Sequence, residues 1–104
     1  MNANGADQAE RVTSYSVDER GVAVLRLERP QARNAMNTQM LVELLEHIAV
    51  ARGDEAVRVL VFSSSDHLSL SAGADVREQL EPEAKVERMQ LFADFYDEVV
   101  AFPK

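Results

Sequence analysis

The sequence predicts an α/β domain with a ββαβ core followed by C-terminal helices. Three observations carry that expectation. Two short alternating runs, Val12–Val17 and Val22–Leu27, flank a turn that ends in Gly21. Leu41, Leu44, Leu45, Ile48 and Ala51 then recur at helical spacing. After them, Val57-Arg58-Val59-Leu60-Val61-Phe62 is a β-branched run of the kind that fills a strand buried on both faces.

In the first run Thr13, Tyr15 and Val17 share one face, and in the second Ala23, Leu25 and Leu27 oppose Val22, Val24 and Arg26. Asp18-Glu19-Arg20-Gly21 supplies the turn, with Gly21 free to take positive φ, so the two runs form a hairpin. Glu28 to Asn37 contains Pro30 and two asparagines and reads as a loop. Asn37 is the expected N-cap of a helix running to Arg52, which Gly53 ends. A strand, a helix and a strand in this order make a right-handed crossover, which sets the second and third strands parallel. Ser63 to Gly73 is a long polar loop, after which Ala74 to Leu80 is expected to start a short helix. Glu81-Pro82 breaks it and opens another, because proline is tolerated at the first helical position. That last helix carries two apolar stripes, one of Val86, Met89, Ala93, Tyr96 and Val100, the other of Phe92, Phe95 and Val99. A surface this wide needs partners on two sides, which a small sheet does not supply. Either a piece of a larger domain or an obligate oligomer is expected.

Composition narrows the function classes. The 104 residues allow one small domain, and 46% apolar with 28% charged residues is ordinary globular usage. Met1 to Arg11 is polar, lacks the apolar stretch of a secretory signal, and is expected to be a disordered tail ahead of a domain over 12–104. No cysteine is present, which excludes disulfide scaffolds, zinc fingers and thiol catalysis. No apolar run approaches the ~20 residues of a membrane span. A net charge of −7 argues against nucleic acid or an anionic membrane as partner. The expectation is a soluble cytoplasmic chain. Charge is uneven, however: Arg20, Arg26, Arg29 and Arg33 against Glu28 give a local +3, leaving −10 for the remainder. Such an island suits a local anionic ligand, or else is a few solvated arginines near a turn.

Most chemical templates fail. Asp66-His67 stands among serines, but no Gly-x-Ser-x-Gly elbow accompanies it. Glu43 and His47 share a helix face at i, i+4 without further metal ligands, so an exposed polar face is the better reading. Ser71-Ala72-Gly73-Ala74-Asp75-Val76 is different, because small residues let a backbone approach a ligand closely. Free N–H groups where this segment enters the expected helix would attract an anion, with Asp75 as a cap.

Together these segments resemble a known family. Leu27-Glu28-Arg29-Pro30-Gln31-Ala32-Arg33-Asn34-Ala35-Met36 is similar to the Arg-Pro-x-x-Arg-Asn-Ala-Leu segment of the crotonase, or enoyl-CoA hydratase/isomerase, family. The run Val57–Phe62 looks like that family's next core strand, and Ser69-Leu70-Ser71-Ala72-Gly73-Ala74-Asp75-Val76 looks like its Ala-Phe-Ser-Ala-Gly-Ala-Asp-Leu motif. The resemblance implies part of a crotonase (ClpP-like) spiral fold and an acyl-CoA thioester as substrate, with no metal or redox cofactor. It implies that the Ala74 N–H holds the thioester oxygen. Arg29, Arg33, Ala35 and Ala72, with Gly73, Asp75 and Val76 of the same motif, would face the substrate and its CoA. Leu70 replaces the usual aromatic, and His67-Leu68 replaces a residue that is often basic, so phosphate contact is either weaker or supplied by His67. The family's second oxyanion donor and its two acidic catalytic residues would lie beyond Lys104, so the chain resembles a first half. Hydration of a 2-enoyl-CoA is the expected parent reaction, and family members are usually trimers or paired trimers. The alternative is a non-catalytic fragment that binds CoA or serves oligomerisation.

Overall fold

The computed structural model describes residues 10–104. The expected tail of residues 1–11 lies outside them except for Glu10 and Arg11, which rest on the central helix. The Glu10 carbonyl accepts from Gln39 Nε2 at 2.8 Å. Strand β1 (Thr13–Val17) pairs antiparallel with β2 (Val22–Leu27), and β2 pairs in parallel with β3 (Val59–Ser64), in the order β1-β2-β3. Helix α1 (Thr38–Gly53) makes the crossover, and α2 (Pro82–Val100) packs beside it. A short 3-10 turn, Pro30–Ala32, interrupts the loop after β2.

The hairpin closes as its sequence requires. Gly21 sits at φ +86°, and a Cβ there would come within 2.6 Å of the Ala56 carbonyl oxygen. That same close approach lets the Gly21 carbonyl accept from Arg58 N–H at 2.8 Å, which starts β3 beside β2.

The register puts Thr13, Tyr15, Ala23, Leu25, Leu27, Leu60 and Phe62 on the face toward the helices. Met40, Leu41, Leu44 and Ile48 of α1 meet them and form the buried core, with Met36 closing one end. From α2, Leu91, Phe92 and Phe95 rest on this core, and the Phe95 ring stands edge-on to Phe62 at 6.2 Å. Phe102 follows onto the same cluster, and Lys104 Nζ donates to the Ala51 and Asp54 carbonyls at 2.9 and 2.8 Å, satisfying the C-terminal end of α1.

Three expectations need correction. The third strand starts two residues later than its β-branched run, because Val57 turns inward while Arg58 and Val59 both reach for the Gly21 carbonyl. Nor is that strand covered on both faces: Val59 and Val61 are 41% and 40% exposed, since the helices occupy the other side. The short helix from Ala74 to Leu80 does not form. Ala74 instead makes a parallel bridge to Met36, and Asp75 Oδ1 takes the Arg77 N–H at 2.9 Å in a local turn. The Asp75 carbonyl, which a helix would use for its own ladder, accepts Arg88 Nη1 at 2.8 Å.

Candidate functional site

The site lies where two loops run side by side. The first, Glu28 to Met36, leaves β2 and passes through Arg33 and Asn34, both left-handed at φ 55° and 57°. A left-handed backbone is costly for most residues and mild for asparagine. Asn34 is fully buried, and its side chain joins the two loops. Its Oδ1 accepts from Arg29 N–H at 2.6 Å, while Nδ2 donates to Ser64 Oγ at 2.9 Å and to the Leu70 carbonyl at 3.2 Å. The Asn34 carbonyl in turn accepts from Ser71 Oγ at 2.6 Å.

The second loop, Ser71 to Asp75, lies along the first. Ala72 N–H donates to the Arg33 carbonyl, Met36 N–H to that of Gly73, and Asp75 N–H to that of Met36, at 3.0, 2.7 and 3.0 Å. Small residues make this approach possible, and Gly73 takes φ +95° within it. Peptide geometry then fixes one more group. The Gly73 carbonyl points at Met36, and the N–H of the same planar trans peptide belongs to Ala74 and points the opposite way. Ala74 is exposed, and its N–H has no acceptor among the described residues.

That N–H borders a cleft of about 560 Å³ lined by Arg29, Gln31, Ala32, Arg33, Ala35, Ala72, Ala74, Asp75, Val76 and Arg77. Three arginines against one carboxylate make it cationic. Of the residues that the resemblance assigned to the site, Arg29, Arg33, Ala35, Ala72, Ala74, Asp75 and Val76 line the cleft, Gly73 acts through its backbone, and His67 lies outside the lining, beside Asp66. Their individual roles differ from expectation. Ala74 presents its N–H from a strand-like bridge, without help from a helix dipole. Arg29 does not extend toward an anion: its Nη1 binds Asp75 Oδ2 and the Ala35 carbonyl, each at 2.8 Å. This guanidinium, then the Arg77 N–H, holds the Asp75 carboxyl below the usual range. Arg33 remains half exposed, with Nε on Asp66 Oδ2 at 2.8 Å and its other nitrogens free to meet a ligand. Asp66 also takes the Leu68 N–H, which contributes most to lowering its pKa.

Sequence reasoning missed Arg77, which lines the cleft, and two residues that brace it, Arg88 and Glu78. Arg88, from α2, donates to the Asp75 carbonyl and to Glu78 Oε1 at 2.8 and 3.1 Å. Glu78 accepts from the Thr38 N–H at 3.0 Å and so also serves the start of α1. Neither had a local signal, because their partners are distant in sequence. Glu43 and His47 are corrected as well. Glu43 is only 4% exposed and accepts from Thr13 Oγ1 at 2.6 Å and Val12 N–H at 3.2 Å, so the pair is an internal tie between β1 and α1. Among the described residues no group of three acidic, histidine or cysteine side chains could hold a metal.

A profile of the enoyl-CoA hydratase/isomerase family matches residues 18–104. The chain belongs to that family. Among its curated relatives is the enoyl-CoA hydratase domain-containing protein 2, mitochondrial, of Bos taurus, 35% identical over 104 residues, covering 98% of this chain and 35% of that protein. The chain therefore spans about a third of the length of that relative. An enoyl-CoA hydratase of Mycobacterium smegmatis superposes with a TM-score of 0.80 at 32% identity, over 90% of this chain and 37% of that one. The enoyl-CoA hydratase of Bacillus anthracis gives 0.81 at 19% identity, over 89% and 37%, a likeness of fold alone. The enoyl-CoA hydratase/isomerase family thus accounts for the fold: an α/β arrangement that is part of a crotonase fold. No helix among the described residues is long and apolar enough to cross a membrane.

Proposed function

We propose that the cleft binds an acyl-CoA thioester and that the Ala74 N–H donates to its carbonyl oxygen and stabilises the charge developing there, as the first of two oxyanion donors for hydration of a 2-enoyl-CoA. The observation that carries this reading is the free N–H of Ala74, held outward at a cationic cleft while the neighbouring amides of Met36 and Asp75 are engaged. A hydrogen bond to a thioester oxygen strengthens as that oxygen gains enolate character, so such a donor lowers the barrier more than it aids ground-state binding. One donor of this kind is typically worth ~10²–10³ in rate. Asp75, the carboxylate at the cleft, is tied to Arg29 and held ionised, so it serves as a structural anion and not as general acid. The second donor and the acid–base pair belong, on the family resemblance, to residues outside these 104. The reaction calls for no metal or redox cofactor, because backbone dipoles carry the charge. Full-length homo-oligomers, with three or six copies, are part of the same reading.

Arg33 and Arg77 suit the phosphates of CoA at the cleft rim, next to the backbone of Ala35 and Ala72. Calorimetric titration with crotonyl-CoA tests this. Arg33→Ala keeps a β-carbon at the left-handed position and removes the rest of the side chain, its guanidinium and the contact to Asp66 included. Its binding should be weaker by about 1–2 kcal/mol, the scale of one charge-assisted hydrogen bond. The difference should shrink as salt rises. Equal binding by parent and Arg33→Ala at low salt would remove the phosphate role. No binding by the parent at millimolar crotonyl-CoA would overturn the acyl-CoA reading itself.

A further inference from the structure

We infer that Arg88, with Arg29, is a positioning residue that holds the Ala74 N–H in its outward orientation by gripping Asp75 from two sides; this deepens the acyl-CoA reading and rests on it. The Gly73–Ala74 peptide follows a glycine at φ +95°. Rotation about the bonds flanking that peptide could turn the N–H inward. Upstream, the Met36 N–H on the Gly73 carbonyl opposes this rotation, and the Gly73 N–H rests on Ser71 Oγ at 3.0 Å. Downstream, the N–H, carboxylate and carbonyl of residue 75 are all held, with the Arg77 N–H on Oδ1 and, at 3.4 Å, the Glu78 N–H on the carbonyl as local contacts. The Asp75 N–H donates to the Met36 carbonyl at 3.0 Å, its carboxylate takes Arg29 Nη1 at 2.8 Å, and its carbonyl takes Arg88 Nη1 at 2.8 Å. Both guanidinium groups are largely buried, with side chains 17% and 18% exposed, where an ion pair or charged hydrogen bond holds geometry better than at an open surface. Arg29 ties the segment to the first loop through the Ala35 carbonyl, and Arg88 ties it to α2. The position of α2 is thereby linked to the direction of the donor, although no side chain of α2 lines the cleft.

The test uses the 104-residue chain, crotonyl-CoA carrying a 13C thioester carbonyl, and three proteins: parent, Arg88→Met and Arg88→Lys. Two readouts are taken, the carbonyl stretch of the bound thioester by isotope-edited infrared spectroscopy and amide hydrogen exchange without ligand. In the parent the stretch should fall below its value in free crotonyl-CoA. Arg88→Met should lose at least half of that shift while binding CoA itself within two-fold of the parent. Its Met36 and Asp75 amides should exchange at least ten-fold faster, with the Leu44 and Ile48 amides of α1 unchanged. Arg88→Lys should recover most of the shift, since a single N–H suffices for the Asp75 carbonyl. A full parent shift in Arg88→Met overturns the positioning role. So does faster exchange at all four amides alike, which would mark a general loss of stability. If the parent binds crotonyl-CoA without shifting the stretch, the oxyanion reading fails and this inference with it. In that case the exchange data still report whether the clamp on Asp75 exists.

Discussion

Asn34 shows how one residue converts a conformational penalty into a site. Its left-handed backbone costs of order 1 kcal/mol even for a tolerant residue. It is offset by a side chain that satisfies one N–H, one carbonyl and two hydroxyls, Ser64 and Ser65, from three segments. Arg29 and Asp75 behave similarly: two charges that could have met a ligand instead neutralise each other, leaving the outer arginines to face the cleft. The small residues of the second loop were legible in sequence because close backbone approach demands them. The Arg29–Asp75 pair was not, because its members lie 46 positions apart and each also suits a surface. His47 was misread for a related reason, since helical spacing alone does not say what covers a face. Its imidazole stacks on Tyr15 with ring centroids 5.2 Å apart and lies 3.0 Å from Thr13 Oγ1. Burial first, then Arg11, lowers its pKa. An unfolded chain therefore takes up this proton before the folded one as pH falls. Stability from this source is complete above about pH 6.5 and declines below it. Urea midpoints of the parent should drop between pH 7 and pH 5.5, and those of His47→Gln should change less over the same window. Parallel curves for the two proteins would exclude His47 as the titrating group.

At the scale of elements, local signals and tertiary constraints separate cleanly. The hairpin, α1 and α2 followed from periodicity, Gly21, Asn37 and Pro82, all of which act within a few residues. The start of β3 and the fate of residues 74–80 did not. Both depend on a carbonyl or guanidinium contributed from elsewhere, Gly21 in one case and Arg88 in the other. The N-terminus of α1 combines the two kinds of signal. Asn37 Oδ1 accepts the Met40 N–H at 2.9 Å, as its sequence position predicts, and Glu78 takes the Thr38 N–H and hydroxyl at 3.0 and 3.1 Å. Because the two caps satisfy different donors, removing one leaves the other in place. Asn37→Ala should lower stability by about 1 kcal/mol, the usual worth of an N-cap. The check is a shift of the urea midpoint at constant slope and fixed protein concentration. A loss above about 3 kcal/mol would mean that the two caps act as one unit and that the helix start collapses with either.

For the molecule as a whole, what matters is how much apolar surface these residues leave uncovered. Sequence reasoning anticipated uncovered stripes on α2, and in the first of them Val86, Met89, Ala93, Tyr96 and Val100 are all exposed. Of the second stripe, Phe92 and Phe95 found their partner in the core, while Val99 is 37% exposed. A second open surface was not foreseen: Val59 and Val61 of β3, beside the half-buried Val22 and Val24, on the sheet face turned away from both helices. The β-branched run had suggested cover on both sides, and the described residues provide it on one. Monomeric proteins rarely leave contiguous apolar surface of this kind in water. The net charge of −7 opposes association only weakly at physiological salt, where exposed charges more than about 8 Å apart are largely screened. The 104-residue chain should therefore self-associate, with sedimentation velocity giving a mass that rises with concentration. Replacing Met89 by Glu and Val100 by Lys places charges on the α2 stripe without touching the core or the cleft. This double variant should shift the distribution toward monomer and leave crotonyl-CoA affinity within about two-fold of the parent. Replacing Val59 and Val61 by Thr keeps β-branched residues in the strand and tests the sheet face in the same way. If α2 dominates, the first pair of changes should act more strongly than the second. A parent that sediments as a monomer across the micromolar range would show that neither face is sticky enough to matter.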